Sequence, residues 1–110
     1  MKEYDFHPGA RSDLDEIWEF IAADSIAAAD KVNEEILDAV AALVPFPHQG
    51  HRRTDLTSRP LRFIRVYDYL IAYAPDDQPL WVVAVFHGHR SPRVMAAILR
   101  GREDKPGKPI

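Results

Sequence analysis

Leu80-Trp81-Val82-Val83-Ala84-Val85-Phe86 is the stretch on which the arrangement of this 110-residue chain turns. All seven side chains are apolar, and valine and aromatic residues dominate. A run this short has the length of a strand, not of a helix. A strand with one wet face alternates apolar and polar residues, and this one does not. It is therefore expected to be the central strand of a sheet, covered on much of both faces.

Just before it, Pro75-Asp76-Asp77-Gln78-Pro79 is a strong turn signal. Residues 69–74 ahead of that turn are aromatic and β-branched, so the two segments should pair as an antiparallel hairpin. Residues 61–66 alternate and supply a further strand, while 45–60 are polar and turn-rich and read as a surface loop. After the central run, His87-Gly88-His89-Arg90 leads into one more helix over 91–102.

The N-terminal part has a different period. Residues 3–7 alternate, with Tyr4 and Phe6 on one side, and suggest a short strand ended by Pro8-Gly9. Leu14, Ile17, Trp18 and Ile21 then form one apolar stripe, predicting a helix over 10–23. Asp24-Ser25 carries capping chemistry, and Ala29, Val32, Ile36, Val40 and Leu43 predict a second helix over 26–44, stopped by Pro45 and Pro47. So short a link makes the pair an antiparallel hairpin. The fold class is α+β: an N-terminal strand and a helical hairpin packed, in two layers, on a mainly antiparallel sheet of three to four strands. Residues 1–102 form a single domain, and the tail 103–110 is expected to fray.

Hydrophobic residues make up 46% and charged residues 28%, the balance of an ordinary globular protein. With no cysteine, a disulfide framework, thiolate metal ligation and a cysteine nucleophile are all excluded. No apolar run approaches the roughly 20 residues of a membrane helix, so the expectation is a cytoplasmic protein that makes no membrane contact. The net charge of −3 hides a division. Residues 1–44 set three cations against eleven acids, a balance of −8, whereas 45–102 set nine arginines against four acids, a balance of +5. Such a division marks either an oriented surface for an acidic partner or two halves that neutralise one another.

There is no Gly-rich phosphate loop, no Gly-x-Ser-x-Gly elbow and no His-Glu-x-x-His pair. Ser12, Ser25, Ser58 and Ser91 all fall at turns or helix starts, where capping explains them. His87 and His89 are two apart, a spacing that puts both rings on one face of a strand, but no acid lies beside them in sequence to complete a metal set. The expectation is no metal and no cofactor. Arg52, Arg53, Arg62, Arg65, Arg90 and Arg93 are the more informative residues, because a guanidinium fork grips phosphate or carboxylate at two points. Arg62 and Arg65 are three apart, so on a strand they face opposite sides. A pI near 5.9 argues against a tight non-specific nucleic-acid binder.

The pattern Tyr4-x-x-x-Pro8-x-Ala10-x-x-Asp13-Leu14-x-x-Ile17-Trp18-x-x-Ile21-Ala22 resembles the opening of RelE/ParE superfamily toxins of bacterial type II toxin–antitoxin modules. Leu43-x-x-Phe46-Pro47-x-x-Gly50-x-x-Arg53, Leu61-Arg62, Tyr69-Leu70-Ile71-x-Tyr73 and Val85-x-His87-Gly88-x-Arg90 continue the likeness over residues 3–98. The long helical hairpin and the His87-Gly88-x-Arg90 ending look more like the ParE branch. That branch implies growth inhibition by poisoning DNA gyrase, without catalysis. The RelE branch instead implies cleavage of messenger RNA in the ribosome. Its usual lysines and C-terminal tyrosine have no counterpart, since lysine is absent from 32–104 and no tyrosine follows Tyr73. On that alternative the catalytic set would be Arg62, Arg65, His87, His89 and Arg90. Both branches imply a cognate antitoxin and a hetero-oligomer with it. The resemblance points to Trp18, Ile21, Arg53, Arg62 and Arg65 for antitoxin binding, and to Arg90 and Arg93 for the target.

Overall fold

In the computed structural model, which describes residues 3–103, the apolar run forms most of β4 (Leu80–His87). It lies between β1 (Tyr4–Phe6) and β3 (Tyr69–Ala74), and β2 (Arg62–Val66) stands beyond β3 at the edge, giving the order β1-β4-β3-β2. β1 runs parallel to β4, and the other two pairings are antiparallel. Every residue of the apolar run is buried, as expected for a central strand.

Its two faces are covered by different elements. Helices α1 (Pro8–Ala22) and α2 (Ile26–Leu43) pack on one face, where Ala10, Ile36, Val40 and Leu43 meet Ile71, Tyr73, Val82 and Val85. Helix α3 (Pro92–Arg100) covers the other, laying Met95 and Leu99 on Trp81, Val83, Ala84 and Phe86. The expected two layers are therefore completed by a third, because a strand apolar on both sides needs cover on both. The loop before β2 contributes Leu56 to this second core.

Helix boundaries follow their caps. α1 starts two residues before the expected position, because Pro8 fits the first helical turn and His7 serves as the cap, its Nδ1 accepting from the Gly9 N–H at 2.9 Å. That role needs an unprotonated Nδ1. Burial, and then the Arg102 cation, hold the His7 pKa below its ordinary value and keep the ring neutral. Ser25 caps α2 through the Ala28 N–H and Ser91 caps α3 through the Val94 N–H, so both serines have the structural role their positions suggest. Residues 104–110 of the expected fraying tail lie outside the described residues.

β1 covers only the start of β4's outer edge. Past Phe6, the His7 N–H takes the Val82 carbonyl at 2.9 Å. A bulge sets Tyr73 opposite Val82 and Ala72 opposite Ala84, so the Val83 carbonyl turns to the same edge. Arg102 Nη1 donates to that carbonyl at 3.1 Å, and Asp13 Oδ2 accepts from the Val85 N–H at 2.9 Å. The two side chains also bind each other in a two-point ion pair, at 2.7 and 3.1 Å. A Cβ at Gly9 would collide with the Arg102 guanidinium, which explains a glycine inside the first turn of α1.

This strap yields a direct expectation. Arg102→Met leaves Asp13 with its charge uncompensated and the Val83 carbonyl without a donor. Each side chain of the pair keeps 16% exposure, so the cost falls near the lower end for buried pairs, about 3 kcal/mol. Urea unfolding should show it as a lowered midpoint, and adding Asp13→Asn should recover part of the loss. An unchanged midpoint would mean that the strap contributes nothing.

Candidate functional site

The open edge of the sheet carries a groove of roughly 570 Å³ between α2 and β2. Ala39, Ala42 and Leu43 form one wall, Ile64 and Val66 the other, and Arg53 and Arg65 charge its rim. Small residues on α2 keep that wall low. On the backbone side, Phe63 exchanges both of its hydrogen bonds with His51, at 2.9 and 2.8 Å. Alternation along the strand turns the N–H and C=O of Arg65 the same way, past the end of that bridge.

The segment that bounds the groove, including a 3-10 turn at Pro47–Gln49, is locked from below. Tyr73, wholly buried, donates its hydroxyl hydrogen to the Pro47 carbonyl at 2.7 Å and accepts from the Gly50 N–H at 3.0 Å. Burial raises the Tyr73 pKa, which keeps the hydroxyl a donor. A Cβ at Gly50 would press on that hydroxyl, so only glycine lets the loop sit so close. Arg62 Nη1 donates to the Gly50 carbonyl at 2.8 Å. This arginine is thus spent on positioning the loop, on the face of β2 opposite to Arg65, as the spacing required.

Two of the other candidate cations are also engaged. Arg53 grips Asp55 with Nε and Nη2, at 2.9 and 2.8 Å, which raises the arginine's pKa and holds the Asp55 carboxyl below its usual range. Arg65 donates to the Tyr67 carbonyl at 2.9 Å and lies 3.3 Å from Asp68. Among the described residues, no carboxylate pairs with Arg90 or Arg93, both exposed at the β4–α3 turn and the start of α3.

A smaller cleft, roughly 210 Å³, continues from the groove onto the α3 face and is lined by Arg53, Arg65 and Arg90. Three candidate arginines distant in sequence thus share one surface. Arg62 stays apart from it. Trp18 and Ile21 are half-buried in the helical hairpin, with Trp18 Nε1 donating to Asp30 at 2.8 Å, and neither lines the groove. A further cavity of roughly 260 Å³ lies between α1 and the end of β4, where Phe20, 80% exposed, stands opposite Tyr69, His87 and Arg90. His87, His89, Arg65 and Arg90 gather at this end of the sheet. Arg62, paired with Tyr73 at the other end of β2, does not join them.

Residues 4–92 match the family described as the ParE toxin of a type II toxin–antitoxin system, parDE. The chain belongs to that family. Similar proteins are Toxin ParE2 from two strains of Mycobacterium tuberculosis, CDC 1551 / Oshkosh and ATCC 25618 / H37Rv. Each is 26% identical over 105 residues, an alignment spanning 87% of this chain and 90% of the relative. As a ParE toxin, the protein is one half of a module whose other half is an antitoxin. No helix among the described residues is long and apolar enough to cross a membrane. The family match spans the groove, its locking tyrosine and Arg90, and stops short of Arg93 and Arg102.

The Asp13–Arg102 strap and the Tyr73 lock escape a reading of the sequence because each joins positions far apart along the chain, 89 and 23 residues respectively. Tyr73→Phe isolates the lock. It leaves the buried Gly50 N–H without an acceptor and the Pro47 carbonyl without a donor, and should cost about 1–3 kcal/mol. Hydrogen exchange should rise at Gly50 and His51 well before β4 is affected. Uniform protection in the variant would show that the loop is held by other contacts.

Proposed function

We propose that this ParE toxin arrests bacterial growth by poisoning DNA gyrase, and that its antitoxin neutralises it by filling the groove between α2 and β2. The family supports the first part, together with the scattering of the residues a ribosome-dependent nuclease would use: Arg62 is committed to the Gly50 carbonyl, away from His87 and His89. Arg90 and Arg93, exposed and without acidic partners among the described residues, are the cations this reading assigns to the target.

The observation that carries the second part is the combination at the β2 edge. An apolar floor, an outward-facing strand backbone and a cationic rim suit an amphipathic segment with acidic side chains. Apolar anchors supply the affinity, while acids exchange with Asp55 and Asp68 for Arg53 and Arg65 and set register and encounter rate.

Pulse labelling after induction without antitoxin tests the target. Thymidine incorporation is expected to fall before methionine incorporation. The reverse order would replace gyrase poisoning by messenger-RNA cleavage, with Arg65, His87, His89 and Arg90 as its working residues. For the groove, Arg53→Glu with Arg65→Glu should weaken antitoxin association about tenfold or more, mainly through a slower on-rate. Unchanged affinity in this double variant would remove the groove from the interface. Arg62 is left intact because its loss would loosen the loop itself.

A further inference from the structure

His87 and His89 have no acid near them in sequence, yet the fold supplies one. Tyr69 pairs with His87, so in the antiparallel ladder the residue before Tyr69 meets the residue after His87. The contact is closed by the Gly88 N–H, which donates to the Asp68 carbonyl at 2.7 Å. Tyr67, at φ +55°, makes the tight turn from β2 that delivers Asp68 to this position. The two imidazoles stack with centroids 4.7 Å apart and planes 30° from parallel. One ligand atom from each of Asp68, His87 and His89 lies within 4.8 Å of the other two.

We propose that Asp68, His87 and His89 form a surface site for a divalent transition-metal ion. Two imidazoles and one carboxylate suit zinc, cobalt or nickel and leave positions open for water, whereas magnesium and calcium prefer all-oxygen sets. A metal–nitrogen distance of about 2.0 Å requires ligand atoms about 3.3 Å apart in a tetrahedron. Asp68 and His89 are exposed, so rotation of their side chains closes the remaining gap. Existing contacts leave room for the ion. Arg65 reaches only one carboxylate oxygen of Asp68, at 3.3 Å, and the other is available. His87 Nδ1 accepts from the His89 N–H at 3.2 Å, a long bond. Coordination through either ring nitrogen of His87 gives that bond up, because a metal on Nε2 leaves the proton on Nδ1. The bound ion would clip the β2–β3 turn to the β4–α3 turn, beside Arg90. This site departs from the expectation of no metal, and it rests on neither the gyrase nor the antitoxin reading.

The test uses the untagged full-length protein, with cobalt(II) chloride as spectroscopic probe and zinc chloride in calorimetric titration. One ion should bind per chain with micromolar affinity, and the His89 amide resonance should shift as its bond to His87 is lost. His89→Ala and Asp68→Asn, both at exposed side chains, should each weaken binding about tenfold or more without lowering the melting temperature of the metal-free protein. His48→Ala, at the Pro47–Gln49 turn where the ring lies 2.9 Å from Asp76 and outside the proposed site, should leave affinity as it was. Absence of binding at millimolar metal would overturn the proposal. So would binding that survives both the His89 and Asp68 substitutions, or binding that is lost with His48.

Discussion

The architecture depends on how the outer edge of β4 is completed. A central strand with apolar cover on both faces must still satisfy its backbone, and β1 is too short to do so beyond Val82. Asp13 and Arg102 take over from it, one accepting from the Val85 N–H and the other donating to the Val83 carbonyl. The pair joins three elements at once. Asp13 fixes the first turns of α1 against one end of the sheet, and Arg102, just past α3, ties the opposite layer to the same strand. Charge suits this task better than an amide pair would, since in a largely dry setting the carboxylate accepts from the guanidinium and the backbone together. Gly9 is the steric condition for it.

Features that depend on local pattern could be read directly from the sequence. The unbroken apolar run from Leu80 to Phe86, the stripe of Ala29, Ile36, Val40 and Leu43, and the caps at Ser25 and Ser91 all express a period or a capping preference confined to a few residues. What escaped was non-local or against preference. The turn between β2 and β3 is made by Tyr67-Asp68, without the glycine or asparagine that announces such turns, and Tyr67 accepts a left-handed backbone there. The Glu35 carboxylate of α2 stands near enough to the Tyr67 hydroxyl to raise its pKa, a tertiary influence that no window around the turn contains. The third layer was implied by the apolar run itself, since two covered faces need two sources of cover.

The charge division along the chain is met by two kinds of internal contact. Arg102 meets Asp13 of the acidic segment, so part of the asymmetry neutralises itself across the fold. Arg53 and Arg65 find acids within their own segment, at Asp55 and Asp68, and remain at the surface. Exposed pairs of that kind are each worth only about 0–1 kcal/mol, so an acidic partner displaces them at little cost. On the proposed reading they act less as fixed bonds than as placeholders on the rim of the groove, held until a competing carboxylate arrives. Arg62 differs in kind, because a backbone carbonyl that also shapes the groove is its partner.

These placements bear on how an antitoxin could silence the toxin. Arg53 and Arg65 line both the groove at the β2 edge and the smaller cleft that Arg90 enters. On the proposed reading, a segment seated in the groove continues naturally into the cleft, drawn by the same two arginines. It then lies against Arg90, the cation nearest the free β4–α3 turn. Neutralisation in this arrangement requires no change in the toxin's shape: covering one continuous cationic surface removes Arg90 from the target. A rigid sheet locked by the strap on one edge and by Tyr73 beneath the other is what such steric masking demands, since a surface that deformed on binding would give the masking segment less to hold.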